Sequence, residues 1–346
     1  MDATVALILA QDGLTNGAIY ALLSLALVLV FAVTRVIFIP QGEFVAYGAL
    51  SIVAIKAGQL PPTLWLVLVL GLAVAVVETV EALREGARYR LPMILLRNAV
   101  APIVAVTAVH FLPLKDMPYL LQMAVALAFV VPLGPQIYRL FFQPVAEASV
   151  LLLLIVSVAV HFVLLGMGLY FFGAEGGRTP AFTEGGFDLG AVFVQYQTLW
   201  ILGVATVLIA GLALFFERSI YGKALRATAI NRTGARLMGI SADLAGKLSF
   251  TLAALVGAFS GILVAPVTTI YYDTGFLTGL KGFVGAIIGG LASYPLAAAG
   301  AILVGLLESY SSFWASAYKE VIVFTLIIPV LLFRSLTSHH IDEEEH

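Results

Sequence analysis

The chain has no cysteine. That absence removes disulfides, iron–sulfur clusters and thiolate metal sites, and it leaves the redox compartment open. Charge is also scarce. Only 11% of the 346 residues are Asp, Glu, Lys or Arg, against about 25% in soluble domains. Lys and Arg number 18 against 20 acids, for a net charge of −2. Nucleic-acid binding needs a basic face that this balance does not supply. No polar stretch is long enough to make a soluble domain. A basic n-region is missing too, since Asp2 is the only charge before Asp12. The expectation is therefore no cleavable signal, with the first helix kept in the mature protein.

What the chain has instead is apolar surface: 61% of its residues are hydrophobic and its mean hydropathy is +1.05. A soluble core of this size cannot absorb so much, so the surplus faces lipid or other membrane helices. About 20 apolar residues cross the hydrocarbon core as a helix. Segments of that kind cover 10–34, 41–58, 62–82, 97–113, 118–138, 148–172, 196–217, 247–270, 278–292, 295–312 and 320–334. The predicted fold is all-α, a polytopic membrane bundle of about nine to eleven segments with some broken or re-entrant helices. Segment 97–113 is short and contains Pro102, and 278–292 and 295–312 read as possible half-helices split by Ser293-Tyr294-Pro295.

Orientation follows from the excess of Lys and Arg in cytoplasmic loops. With the N-terminus outside, 13 of the 18 basic residues fall inside and 5, Lys56, Lys115, Arg178, Lys281 and Lys319, fall outside. The C-terminal tail with Asp342 to Glu345 is then cytoplasmic. His339, His340 and His346 read as part of that solvated tail.

Two loops are long. Residues 173–195 are outside, rich in Gly and acids. Residues 218–246 are inside, with Lys223, Arg226, Arg232 and Arg236 and apolar residues at 225, 229, 237 and 240 near helical spacing. Asn231 to Gly234 predicts a break into two short helices, and Gly239 suits a helix C-terminus. A basic amphipathic segment of this kind sets topology, lies on the membrane or docks into a groove of a soluble partner. The stretch Gly239 to Leu248 is not a P-loop: six residues separate Gly239 from Gly246, and Leu follows Lys247.

Within the spans, Asn16, Tyr20 and Ser24 repeat every four residues on one face of the first helix. Such a stripe lines a pathway or makes interhelical hydrogen bonds. Glu43, just after Pro40 and Gly42, has two positions open to it: a pathway, or the cytoplasmic headgroup level beside Arg35, which a second span starting near 41 favours. Gly282, Gly285, Gly289 and Gly290 read first as close helix packing and second as a pathway lining. His110 and His161 have no second ligand at metal spacing and are expected to be hydrogen-bonded inside the bundle.

Four motifs now give a resemblance. Asn16-Gly-Ala-Ile-Tyr-Ala-Leu22, Gln41-Gly-Glu43-Phe-Val-Ala-Tyr-Gly48, the loop from Gly222 to Ile240 and Gly282-Phe-Val-Gly-Ala-Ile-Ile-Gly-Gly-Leu-Ala-Ser-Tyr-Pro295 resemble, in order, segments of the permeases of branched-chain amino acid ABC importers. Where that family reads Asn-Phe-Ala-His-Gly-Glu, this chain has Phe38-Ile-Pro-Gln-Gly-Glu43. The resemblance spans about residues 10–58 and 118–334, with 62–117 as a two-segment insertion. It implies a non-enzymatic translocation subunit of a bacterial inner membrane, working by alternating access. ATP and Mg would sit on two cytoplasmic ATPase subunits, and none on this chain. A second permease subunit and an extracytoplasmic solute-binding protein would complete the machine. It assigns Arg226, Arg232, Arg236, Gly239 and Ile240 to ATPase coupling. Asn16, Tyr20, Ser24, Gln41, Glu43, Gly289 and Gly290 become pathway candidates. The alternative class is an ion-coupled transporter or channel without an ATPase. A membrane enzyme would need a convergent catalytic set that the chain does not show.

Overall fold

The computed structural model describes residues 2–190 and 192–337. The tail expectations for His339, His340, His346 and Asp342 to Glu345 lie outside the described residues.

Among the described residues, nine helices are long and apolar enough to cross a membrane. They are α1 (Ala3–Thr34), α3 (Thr63–Arg84), α4 (Arg88–His110), α5 (Tyr119–Val145), α6 (Val150–Phe172), α7 (Tyr196–Arg218), α10 (Ala242–Val264), α12 (Tyr294–Trp314) and α13 (Ser316–Phe333). Two shorter helices complete the bundle, α2 (Gln41–Lys56) and α11 (Thr274–Ile288). Between α7 and α10 lie α8 (Ile220–Ile230) and α9 (Arg232–Leu237). The loop after α6 carries an antiparallel hairpin, β1 (Gly186–Leu189) and β2 (Val192–Gln195), with Phe187 opposite Val194.

The bundle is built around α1, whose apolar window is 89% buried, while α4 and α13 are 6% buried and form its periphery. α1 packs on α12, α10 and α11, and α2 is clasped between α10 and α11. In lipid, helices associate through close approach of small residues. A Cβ on Gly42 would stand 1.9 Å from the carbonyl oxygen of Gly275, so only two glycines let α2 and α11 cross there. Gly305 meets Gly13 and Gly17 of α1 in the same way.

The chain enters α2 by an irregular path. α1 ends at Arg35 with φ +61°, and Val36, Phe38 and Pro40 run back into the bundle fully buried. The Ile39 N–H donates to Ser157 Oγ of α6 at 2.8 Å. α2 therefore begins beside the middle of α6, not at the end of the bundle. Irregular backbone at that depth is tolerated because protein surrounds it.

Three expected boundaries change. α4 starts at Arg88, earlier than 97, and passes Pro102 through a π-helical turn at Leu96–Val100 that absorbs the missing donor. α10 ends at Val264, not 270, because the apolar run beyond it turns and Ile270 pairs with Gly177. α12 is a full-length helix of 21 residues, so of the two suspected half-helices only α11, with 15, stays short.

Candidate functional site

Three polar regions stand out against the apolar bundle. The first is the α8–α9 hairpin. Ser219 caps α8, its Oγ accepting from Gly222 N at 2.8 Å. Asn231 ends α8 and caps α9, its Oδ1 accepting from Gly234 N at 2.7 Å. This is the predicted break. Gly239, at φ +82°, closes α9 in a Schellman turn with Ile240 N donating to Ala235 O at 3.0 Å. The two helices do not share one apolar face. Leu225 is buried against Leu29 and Val33 of α1, whereas Leu237 turns outward. Ile230, Leu237 and Met238 are 79%, 83% and 82% exposed. The arginines are partly committed within the chain. Arg226 donates to Phe216 O at 2.6 Å and Arg232 to Ala146 O at 3.1 Å, and Arg236 pairs with Glu147 at 3.0 Å. Sequence reading singled out the charges and Leu237 but not Ile230 or Met238; the signal for these exposed apolar tips is the Asn231 break that rotates α9 away from the face of α8.

The second region is a cavity of about 650 Å³ between α1, the β-hairpin, the start of α7 and the end of α12. Asp12, Asn16, Arg178, Gln197, Glu308 and Lys319 are among the groups that line it. Its floor is Glu308. The Tyr20 hydroxyl donates to Glu308 Oε2 at 2.5 Å, and Lys281 Nζ lies 2.5 Å from Glu308 Oε1 and 3.1 Å from Glu320 Oε1. Lys281 is 6% exposed. The charge count puts it at the outer side, near the start of segment 278–292; there it ties α11 to α12 and α13, because a buried ammonium needs paired carboxylates.

The third region lies where α2 begins. Glu43 is fully buried, and its Oε1 is 2.9 Å from His161 Nδ1 at the midpoint of α6. That corrects the headgroup-level position beside Arg35: the irregular run 36–40 carries Glu43 away from it. It also supplies the hydrogen-bonded interior expected for His161. Phe276 of α11 stacks on the His161 ring at 4.4 Å. Gln41, also fully buried, donates to Ala253 O of α10 at 2.9 Å.

The candidate pathway residues are thus not gathered in one cavity. Asn16 lines the 650 Å³ cavity and Tyr20 holds its floor. Ser24 donates to Ala297 O of α12 at 3.2 Å. A Cβ on Gly289 would meet Ala297 N at 2.6 Å, which is the packing position. Gly290, at φ +65°, lines a separate cavity of about 880 Å³ with Arg35, Arg226 and Tyr294.

Comparison with known proteins supplies the rest. The family model for the permease component of branched-chain amino acid transport systems matches residues 87–331. The match thus begins at α4, inside the stretch expected as an insertion. The high-affinity branched-chain amino acid transport system permease protein BraD of Pseudomonas aeruginosa is 29% identical over 240 residues, 67% of this chain and 78% of that protein. LivH of Escherichia coli K12, with the same description, is 29% identical over 208 residues, 58% of this chain and 67% of that protein. A probable branched-chain amino acid transport permease protein LivH of Methanocaldococcus jannaschii is 31% identical over 202 residues, 54% of this chain and 63% of that protein. No solved structure matches. With nine helices among the described residues long and apolar enough to cross a membrane, the chain is a multi-pass inner-membrane protein, and it belongs to the family of branched-chain amino acid transport permeases.

Proposed function

We propose that this chain is the membrane subunit of an ATP-driven importer for branched-chain or related amino acids. Two cytoplasmic ATPases, a second permease subunit and an extracytoplasmic solute-binding protein would work with it. The observation that carries the reading is the α8–α9 hairpin. It projects Ile230, Leu237 and Met238 into solvent, and Lys223 of α8 is exposed as well. Exposed apolar tips rimmed by charge are what a groove on a soluble partner recognises. ATP-driven closure of the ATPase pair would push on this hairpin and rock the spans in alternating access.

The 650 Å³ cavity supports the substrate class. Asp12 and Glu308 supply two negative charges and Arg178 and Lys319 two positive ones. Balanced charge suits a zwitterion better than a net ion, and Ile8, Leu9 and Phe193 add apolar lining. The test is purification in mild detergent followed by mass spectrometry of co-purifying proteins. A P-loop ATPase that is lost when residues 222–240 are scrambled supports the proposal. A preparation with no ATPase that still moves solute in vesicles overturns it in favour of an ion-coupled transporter.

A further inference from the structure

One cavity lies apart from everything described so far. It has a volume of about 400 Å³ and sits between α3, α4 and α5, with Lys247 of α10 at one end. α4 packs substantially on α3 alone, which leaves a slot between α4 and α5. The slot is charged at one end and mostly apolar beyond it, with Gln136 of α5 as a polar group in the shaft. At the charged end are Glu78, Arg97, Arg139 and Lys247. From there it is lined by Val74 and Val67 of α3, Ala101 and Ala105 of α4, and Phe129 and Ala128 of α5. Glu78 to Val67 along α3 is about 16 Å at the helical rise, a large part of one leaflet.

The charged end faces the same side of the bundle as the basic α8–α9 hairpin, whose Arg232 and Arg236 reach the α5–α6 connection at Ala146 and Glu147. The lining there carries three cations, Arg97, Arg139 and Lys247, against one carboxylate, Glu78. Arg97 Nη2 donates to both Glu78 oxygens at 2.9 Å, Asn98 Nδ2 to Glu78 Oε2 at 2.7 Å, and Arg139 pairs with Glu78 and Glu81. Around these three cations stand Glu78, Glu81 and, one turn before Lys247 on α10, the exposed Asp243, of which only Glu78 lines the slot. Lys247 is the cation of this set without a direct partner: half-buried in the slot, it makes no side-chain hydrogen bond or ion pair among the described residues. Beyond the mouth, Arg84 and Arg88 add exposed positive charge, and Arg90 pairs with Glu85.

A cationic mouth at one membrane surface that opens onto an apolar shaft about one leaflet deep has the shape and charge of a phospholipid site. We infer that the α3–α4–α5 slot binds an anionic glycerophospholipid. Its phosphate sits against Lys247, Arg97 and Arg139, and one acyl chain runs between α4 and α5. The ion pairs on Glu78 keep the mouth open and fix α4, which has little packing of its own. The lipid then completes the attachment of α4 to the bundle, and that is the task the α3–α4 pair performs. This inference does not depend on the transported substrate.

The test uses the full-length protein in nanodiscs made from an equal mixture of dioleoylphosphatidylglycerol and dioleoylphosphatidylcholine. Native mass spectrometry after release counts the retained lipid. The expected result is selective retention of phosphatidylglycerol, reduced about fivefold by Lys247→Gln, as removal of one lipid-facing cation implies. Ala105→Trp, which fills the shaft and leaves every charge in place, abolishes retention. Both variants elute as monodisperse protein with unchanged helicity, which separates loss of lipid from loss of fold. Equal retention of the two lipids overturns the inference, as does unchanged retention in both variants. Displacement of phosphatidylglycerol by millimolar inorganic phosphate also overturns it, since the site would then read the free anion and not the lipid.

Discussion

His161 Nδ1 sits 2.9 Å from Glu43 Oε1, joining the first turn of α2 to the midpoint of α6. Both side chains are shut off from solvent, and Glu43 Oε2 has no protein partner among the described residues. With the bonds of Ile39 to Ser157 and of Gln41 to Ala253, it holds the start of a short helix that the chain enters by an irregular path.

Removing either partner strands the other in the bundle interior. Glu43→Ala and His161→Ala are each expected to destabilise the protein by about 3 kcal/mol. The double variant should cost clearly less than the sum, with a coupling of about 1 kcal/mol or more. Unfolding in mixed micelles by detergent titration measures all three.

The Lys281 network gives a second expectation. Lys281→Met leaves Glu308 facing Tyr20 without its cation, 2.5 Å from the position of the lost ammonium. A loss of about 3–5 kcal/mol follows. Lys281→Met with Glu308→Leu should recover part of it, because an apolar pair replaces a buried ionic one. Uptake should fall in both, since Glu308 forms the floor of the 650 Å³ cavity. Recovery of full uptake by the double variant would remove Glu308 from the pathway.

Two glycines make a matched pair. Gly42→Ala places a methyl 1.9 Å from a backbone oxygen that cannot rotate away, whereas Gly166→Ala meets nothing within 4 Å. The first should cost about 2 kcal/mol or more and lower the yield of folded protein. The second should be neutral or stabilise α6 by up to about 1 kcal/mol. Thermal midpoints of the two purified variants test this directly.

Much of the bundle is legible because membrane spans announce themselves by length and hydropathy, which are local properties. The α8–α9 break was legible for the same reason: Asn231 and Gly239 act through bonds to residues three to five positions away. Long-range pairings were not. Glu43 and His161 are 118 positions apart, and Lys281 and Glu308 belong to different helices. A charge count therefore gave Lys281 a side of the membrane but no partner, and span arithmetic favoured the membrane surface for Glu43. The start of α4 was obscured because Arg88, Arg90 and Arg97 interrupt the apolar window although the helix runs through them.

The Schellman turn at Gly239 separates a structural role from a docking role. Gly239→Val strains a position at φ +82° and should cost about 1–2 kcal/mol. Gly239→Asn, which tolerates that conformation, should keep uptake near the parent level. Leu237→Ser with Met238→Ser changes two side chains that are 83% and 82% exposed, so folding should be unaffected while binding of the ATPase is lost. Co-purification assays on the three proteins tell the roles apart.

The most direct measurement of the central proposal is uptake of radiolabelled leucine into proteoliposomes holding this chain with its co-purifying partners, with ATP enclosed on the side of the α8–α9 hairpin and no ion gradient. The account predicts ATP-dependent accumulation that disappears in the Leu237→Ser, Met238→Ser protein. Accumulation without ATP, driven by an imposed proton or sodium gradient and unchanged in that variant, would contradict it.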